Sequence, residues 1–354
     1  MRTARLKSVV ALVATAVIAS TAYAAGAGVT GASARAGSDA RTLVAEAKAA
    51  DSHCVTVVRD GKVLLSRDLA KKVDTTIAWS ITKSVTSLLV GIAQDKKMLK
   101  LDDRVARYVP QWRGTASKRV TIRHLLANTS GREWDARTDY QVMIAARNKT
   151  RFGIRLDQQH RPGTTWAYNN SAIQVLEAVL EKATKRPVAD FAQATLFGPL
   201  RMRNTSIETD VVGNPMLFGG MRSTCPDLAR LGVMLADQGR YDGRRIVSRR
   251  YVREATQRPS SELNTAYGLL FWINEPGPVL SPLPPPAGTP TAQGPMVPTA
   301  PEDAYWALGL NQQILHVSPT EKIVAVRLGD PPPADGPLTI DRFTDLARAV
   351  AGAS

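Results

Sequence analysis

Apolar residues follow two different spacings in the first third of the chain. Residues 54–69, CVTVVRDGKVLLSRDL, alternate around an Asp60-Gly61 pair, which predicts a β-hairpin with an Asp-Gly turn. From Ser80 to about Lys97 the apolar positions recur at helical spacing, which predicts a helix. These positions are Val85, Leu88, Leu89, Ile92 and Ala93.

The pattern stays mostly helical to about residue 260 and then returns to strands. The clearest helix, SAIQVLEAVLEKATKRP, is expected to end at Pro187. TAYGLLFWIN, ALGLNQQILHVSP and KIVAVRLG each predict a strand, and TIDRFTDLARAVAGA predicts a closing helix. We therefore predict an α/β fold with one sheet built from both ends of the chain and a mostly helical subdomain inserted at about 100–260. A Pro-rich loop at 274–303 is long enough to be a lid or a disordered segment.

Residues 1–24 have the features of a secretory signal peptide. Cationic residues precede an apolar run, and Ala22-Tyr23-Ala24 offers the small residues that a signal peptidase requires. A membrane anchor is the alternative, but the run is short and interrupted by Thr and Ser. We expect a secreted protein without stable membrane insertion, with a flexible segment at 25–50 and a folded domain at 51–354.

The formal net charge of +15 comes from basic residues interspersed with acidic ones. Nucleic-acid binding is not expected without a basic stripe and interleaved aromatic residues, whereas a basic surface favours association with an anionic cell envelope. Cys54 and Cys225 form a disulfide or remain two buried thiols, and the sequence leaves both open. Two cysteines and four histidines without ligand spacing predict no metal site.

Ser80 and Lys83 lie three residues apart, and therefore on one face, at the start of the predicted helix. A serine hydroxyl becomes a nucleophile when a base takes its proton, and a lysine with a lowered pKa can be that base. The helix N-terminus would also direct N–H groups towards a developing oxyanion. The alternative is that Ser80 only caps the helix.

Tyr168-Asn169-Asn170 lies on the turn that enters the helix ending at Pro187. A tyrosine at this place can relay the proton of the nucleophile to the leaving group, and the Asn170 amide can orient Lys83 or the substrate. The alternative is that Tyr168 packs in the core and Asn170 caps the helix.

Together these motifs resemble the penicillin-recognising serine hydrolases, which include class C β-lactamases, DD-peptidases, esterases and 6-aminohexanoate-dimer hydrolases. The resemblance runs from about residue 55 to 350 and includes VTIRHLLANTSG, PGTTWAYNN, LFGPLRMRNT and GGMRSTCPDLARLG. It implies a β-lactamase/transpeptidase-like fold, with a mixed antiparallel sheet flanked by helices. It also implies catalytic roles for Ser80, Lys83 and Tyr168, in chemistry that needs no metal or organic cofactor.

The third motif departs from the family pattern. Where β-lactamases and peptidases usually have Lys-Thr-Gly, this chain has Ala307-Leu308-Gly309. Gly309 permits close backbone approach, and the N–H of Leu310 is expected to be the second oxyanion donor beside that of Ser80. The missing lysine removes a charge-assisted contact to a substrate carboxylate, worth roughly 1.5–3 kcal/mol. This loss favours the 6-aminohexanoate-dimer hydrolase and esterase branch.

We therefore predict an exported serine hydrolase that cleaves a small-molecule ester or amide through an acyl-enzyme on Ser80. One alternative is a β-lactamase or DD-peptidase acting on cell-wall or β-lactam substrates. Another is a pseudoenzyme that binds without turnover. Several other polar and aromatic residues are expected to be structural rather than to line a cleft: His124, His316, Trp134, Asp135, Tyr140 and Trp306.

Overall fold

The computed structural model describes residues 32–71, 73–282 and 290–353. The predicted signal peptide lies outside these residues, as does the start of the segment predicted to be flexible, 25–31. The rest of that segment contradicts the prediction, because Ala32–Ala49 forms a helix, α1. Leu43 and Ala47, four residues apart on one face, are fully buried where α1 packs on the sheet and on the closing helix. Burial of this face overrides the composition on which the prediction relied.

One six-stranded antiparallel sheet forms the framework, and both ends of the chain contribute to it, as predicted. The strand Ser52–Arg59 pairs with both Lys62–Asp68 and Ile323–Gly329, so the two ends of the chain meet within the sheet. In spatial order the strands are Lys62–Asp68 (β2), Ser52–Arg59 (β1), Ile323–Gly329 (β13), Gln313–Ser318 (β12), Tyr305–Gly309 (β11) and Trp272–Ile273 (β8).

Backbone conformations at the turns explain where the predicted strands begin and end. The predicted hairpin is confirmed as β1 and β2, with φ of 50° at Asp60 and 74° at Gly61, as its tight turn requires. ALGLNQQILHVSP forms two strands rather than one, because Asn311 and Gln312 have φ of 63° and 55° and reverse the chain. TAYGLLFWIN contributes only β8, since Leu270 at φ 61° bends the segment out of the sheet.

Helices flank the sheet and make up much of the inserted segment. Along the chain they are Ile81–Asp95 (α2), Ile122–Leu126 (α3), Met143–Ala145 (α4), Lys149–Arg155 (α5), Asn170–Gln174 (α6), Leu176–Thr184 (α7), Val188–Ala192 (α8), Cys225–Ala236 (α9), Arg249–Thr256 (α10) and Ile340–Val350 (α11). The helix predicted to end at Pro187 is thus two consecutive helices, α6 and α7. The second ends at Thr184, and the next residue, Lys185, has φ 56°.

Short strand pairs lie outside the main sheet. One is a three-stranded sheet, whose strands in spatial order are Thr76–Ile77 (β3), Met221–Ser223 (β5) and Ser206–Ile207 (β4). In another, Arg240–Tyr241 (β6) pairs with Arg244–Arg245 (β7). In the Pro-rich loop, Pro278–Val279 (β9) pairs with Ala292–Gln293 (β10). The Asn274 side chain also binds the carbonyl oxygens of Val297, Ala300 and Pro301. The described part of this loop is therefore folded onto the domain.

Two helices fix the relation between the sheet and the rest of the core. Residues 81–93 of α2 are all buried, and Gly91 lets the Tyr251 ring of α10 approach so closely that a Cβ would lie 2.4 Å from it. Helix α9 packs on the sheet through Gly232, which contacts Val324 of β13. Cys54 and Cys225 form a disulfide that joins β1 to the start of α9. The alternative of two free thiols is therefore wrong.

Candidate active site

Ser80 precedes α2, where the chain turns sharply out of β3. The residue before it, Trp79, has φ 47°, a left-handed conformation that residues with side chains rarely adopt. Strained backbone of this kind often occurs at functional sites. Ser80 is partly exposed, and its side chain makes no cap hydrogen bond to the described residues of the helix. The alternative that Ser80 only caps α2 is therefore wrong.

The amine of Lys83 contacts the Ser80 hydroxyl, as the three-residue spacing predicted. Its Nζ donates to Ser80 Oγ at 2.8 Å and to the carbonyl oxygen of Phe218 at 2.7 Å. Lys83 is 1% exposed. Burial lowers its pKa from 10.5 to about 7, and the Asp139 carboxylate opposes this effect. A far larger fraction of Lys83 amines is therefore neutral at pH 7 than for an ordinary lysine.

The Phe218 carbonyl determines how a neutral Lys83 amine is oriented. A carbonyl oxygen only accepts hydrogen bonds, so it must take one N–H of the amine. The lone pair is then free to accept the proton of the Ser80 hydroxyl, which lies at the second contact. This orientation makes Lys83 a suitable base for Ser80.

Tyr168 brings a phenol to the same two groups from a distant segment. Its ring is buried, and Lys83 Nζ lies 4.6 Å from the ring centroid. Burial raises the pKa of Tyr168 well above its usual value, and Asp139 adds to this effect, while a hydrogen bond with Ser80 lowers it. The phenol therefore keeps its proton at neutral pH. Of the two, Lys83 is therefore the group suited to accept a proton and Tyr168 the group suited to donate one.

An aromatic cluster surrounds the Tyr168 ring. Tyr168 stacks on Trp272 of β8 with centroids 6.2 Å apart, and it meets Tyr267 edge-on at 6.1 Å. Trp166 contacts all three of these rings. The indole of Trp134 donates to the Tyr168 carbonyl oxygen at 2.9 Å. These contacts hold the phenol in one position, and they place Trp134 beside the site rather than only in the core.

Asp139 is a buried carboxylate that holds the start of α6. Its oxygens accept the N–H groups of Asn170 and Ser171 and the Ser171 hydroxyl, at 2.7–2.9 Å. Burial raises the pKa of Asp139, an effect that these hydrogen bonds and Lys83 oppose. The helix cap is the side chain of Asn169, which accepts the N–H of Ala172, so the alternative that Asn170 caps the helix is wrong.

The Asn170 amide does not reach Lys83 among the described hydrogen bonds. It instead lowers the pKa of Tyr140 by a hydrogen bond, while burial raises that pKa well above its usual value. The Tyr140 hydroxyl also donates to the carbonyl oxygen of Pro282 in the Pro-rich loop, at 3.4 Å. Tyr140 therefore connects the site to that loop.

Gly309 brings β11 against the chain that leads into Ser80. A Cβ on Gly309 would lie 2.3 Å from the carbonyl oxygen of Ala78, so only glycine fits without movement of the backbone. The N–H groups of Ser80 and Leu310 have no hydrogen bond to another described residue. Both donors are thus available for the oxyanion role predicted from the motif. Ala307, which replaces the usual lysine, is buried on β11.

Three of the remaining sequence candidates lie outside the site. His124 forms a capping box with Thr121 at the start of α3. His316 is fully buried on β12, where burial lowers its pKa to about 3. The Trp306 indole donates to Thr344 of α11. The structural roles predicted for these three are confirmed.

The sequence did not reveal Phe218, Asp139 or Trp272 as site residues. Phe218 contributes through its carbonyl oxygen, which any residue type would provide. Asp139 and Trp272 lie 56 and 189 residues from Lys83 in the chain, and neither has a motif that indicates their contact. Only the folded chain brings Asp139 near Lys83 and Trp272 onto Tyr168.

The beta-lactamase family profile matches residues 40–340, which is most of the chain. The chain belongs to the beta-lactamase family. The predicted family and fold class are therefore confirmed. Members of this family with this fold are generally serine hydrolases.

The individual proteins and structures that resemble this chain share less than a third of their aligned residues with it. Penicillin-binding protein 4* of Bacillus subtilis is 29% identical over 140 residues, which are 36% of this chain and 29% of that protein. The chain therefore matches less than a third of this relative's length. A protein described as a 6-aminohexanoate-dimer hydrolase from Bacillus anthracis superposes with a TM-score of 0.70 at 16% identity, over 88% of this chain and 82% of that one. EstCE1, a hydrolase with promiscuous acyltransferase activity, superposes with a TM-score of 0.68 at 17% identity, over 91% and 98%. At these identities the two structures show the fold alone.

Proposed function

We propose that this protein is a serine hydrolase that cleaves an ester or amide bond through an acyl-enzyme on Ser80. The observation that carries the proposal is the 2.8 Å contact between Ser80 Oγ and a buried Lys83 amine whose pKa is about 7. A nucleophile next to a base with a pKa near the working pH is the arrangement that acyl transfer requires.

The geometry supports a definite role for each group. Lys83 takes the proton of Ser80 as its oxygen attacks the substrate carbonyl, and the N–H groups of Ser80 and Leu310 stabilise the oxyanion. Tyr168, which keeps its own proton at neutral pH, donates to the leaving alcohol or amine and regains a proton through Lys83. Water then attacks the acyl-enzyme, and Ser80 is released.

The third motif supports an ester or amide substrate without a bound carboxylate. Ala307 provides no charge at the position where β-lactamases and peptidases usually have lysine. Two structures of the same fold are described as a 6-aminohexanoate-dimer hydrolase and as a hydrolase with acyltransferase activity. We propose the esterase or amidase type on these grounds.

The decisive experiment is hydrolysis of p-nitrophenyl acetate by wild type, Ser80→Ala and a control, Ser206→Ala, whose serine is exposed on β4. We expect loss of activity only in Ser80→Ala, and acylation of Ser80 by a fluorophosphonate detected by mass spectrometry. Full activity of Ser80→Ala would refute the mechanism. A folded wild type that no fluorophosphonate labels would instead support the pseudoenzyme.

One relative favours a second function, since a B. subtilis penicillin-binding protein matches part of this chain. A DD-peptidase or β-lactamase would use the same Ser80. Labelling of Ser80 by a fluorescent penicillin, together with nitrocefin hydrolysis above that of Ser80→Ala, would establish it. Esters cleaved well with neither of these results would establish the esterase or amidase.

We also propose that the protein is exported and that its basic surface associates with an anionic cell envelope. The signal-like residues 1–24 and the Cys54–Cys225 disulfide support export, because disulfides persist in oxidising compartments. Within the described residues, no helix combines the length and hydropathy needed to cross a bilayer. Fractionation of the producing cells tests this proposal, and a full-length, reduced protein in the cytoplasm would contradict it.

A further inference from the structure

A cavity of about 710 Å³ lies beside α10, and arginines dominate its lining. We call it the arginine cavity and define it by five of its lining residues, Arg123, Arg249, Arg250, Arg253 and Arg258. Glu254 is the acidic residue among those that line it. The volume is in the range of small-molecule pockets, but the arginine cavity is open to solvent.

Carboxylates of the described residues neutralise only one of these arginines. Arg123 contacts Glu254 at 2.6 Å and Asp102 at 2.7 Å, so the acidic residue of the cavity already has its partner. The other four arginines are exposed and form no ion pair with a described carboxylate. Asp95, beside the start of α10, accepts the backbone N–H of Ser248. The cavity therefore keeps a strong positive charge.

The arginines are placed where they do not help the helix. Arg249 and Arg250 lie in the first turn of α10, the end at which the helix dipole favours acidic residues. Arg249 and Arg253 are four residues apart, a spacing at which like charges repel. On the inner face, the Tyr251 hydroxyl donates to the Ser87 carbonyl oxygen and fixes α10 on α2. A rigid helix thus presents cations that repel one another in the absence of an anion.

The arginine cavity is separate from the catalytic groups. Helix α10 contacts α2 at Ser87 and Gly91, seven and eleven residues after Ser80. At the rise of an α-helix these contacts are roughly 10–16 Å along the axis from Ser80. Substitutions on the outer face of α10 can therefore be tested with the hydrolytic site intact.

We propose that the arginine cavity binds a ligand that carries two or more phosphate groups close together. Guanidinium groups pair with phosphate through parallel hydrogen bonds. One phosphate offers more acceptor oxygens than one carboxylate, so it can satisfy several arginines at once. Four arginines without acidic partners can hold more than one such group. A soluble phosphate oligomer and the headgroups of an anionic lipid both present this chemistry.

Titration calorimetry with tripolyphosphate at about 150 mM salt tests the soluble source, with citrate as a carboxylate of similar charge. Co-sedimentation with vesicles of phosphatidylglycerol, against phosphatidylcholine, tests the lipid source. The variant is the triple substitution Arg249→Gln, Arg250→Gln and Arg253→Gln. Its control is Arg240→Gln, Arg244→Gln and Arg245→Gln, which removes the same charge from exposed arginines of the β6–β7 hairpin outside the cavity.

We expect the α10 variant to lose affinity for one of the two phosphate probes by about tenfold or more, and the hairpin variant by less than about twofold. Tripolyphosphate binding assigns a soluble ligand, and binding only to phosphatidylglycerol vesicles assigns a lipid. Both variants should keep the p-nitrophenyl acetate activity of the wild type and remain folded at the assay temperature. Absence of binding to either probe, equal losses in the two variants, or citrate binding as tight as tripolyphosphate would overturn the proposal.

Discussion

Burial of Lys83 should make the protein less stable than a variant with an apolar side chain at that position. The pKa of Lys83 falls from 10.5 to about 7 on folding. At about 1.4 kcal/mol per pKa unit, this shift corresponds to about 5 kcal/mol of lost stability below pH 7. Lys83→Met removes that penalty but leaves the Phe218 carbonyl oxygen without its donor, which costs about 1–3 kcal/mol. We therefore expect Lys83→Met to be inactive and about 2–4 kcal/mol more stable at pH 6.

The pH dependence identifies the origin of this difference. Because the folded pKa lies below the unfolded pKa, the unfolded chain binds more protons between pH 7 and 10.5. The stability contributed by Lys83 therefore rises with pH in this window, by about 1.4 kcal/mol per pH unit. The advantage of Lys83→Met should shrink by about 2–3 kcal/mol between pH 7 and pH 9.

Urea unfolding of both proteins at pH 6, 7, 8 and 9 measures these differences directly. Lys149→Met is a matched control, because Lys149 is also buried and its Nζ donates to the carbonyl oxygens of Ile144 and Ala146. We expect that variant to lose stability. A Lys83→Met protein less stable than wild type at pH 6, or an advantage that does not change with pH, would refute the reasoning.

Three further predictions test the site and the framework. The kcat/KM of the wild type should rise as pH passes about 7, where Lys83 loses its proton. Asp139→Asn should move that rise to lower pH, because it removes the charge that raises the Lys83 pKa. A pH–rate profile shifted to higher pH would contradict this. Gly309→Ala should lower kcat by at least about tenfold and also lower Tm, since β11 must move away from Ala78 beside Ser80. Steady-state kinetics and thermal unfolding test it, and an unchanged kcat would count against it. Replacing Cys54 and Cys225 by alanine should lower the unfolding free energy by up to about 5 kcal/mol, because the disulfide closes a span of 171 residues; equal urea midpoints with and without it would be the opposing result.

The sequence alone determined the elements whose information is local. The Asp60-Gly61 turn defined the first hairpin, because few residue pairs accept two left-handed conformations in a row. Ser80 and Lys83 could be paired from their spacing, since residues three apart in a helix face the same side. The motif around Tyr168 pointed to its partners only through the resemblance to a family.

Tertiary structure decided what depends on contacts between distant segments. It showed that α1 is ordered, because Leu43 and Ala47 find a surface to bury against. It identified Asp139, and it showed that burial brings the pKa of Lys83 to about 7. A side chain's pKa follows from the solvent and charges around it rather than from its own identity. A pattern of residues can therefore place a lysine beside a serine, but only the folded environment brings the pKa of that lysine near neutrality.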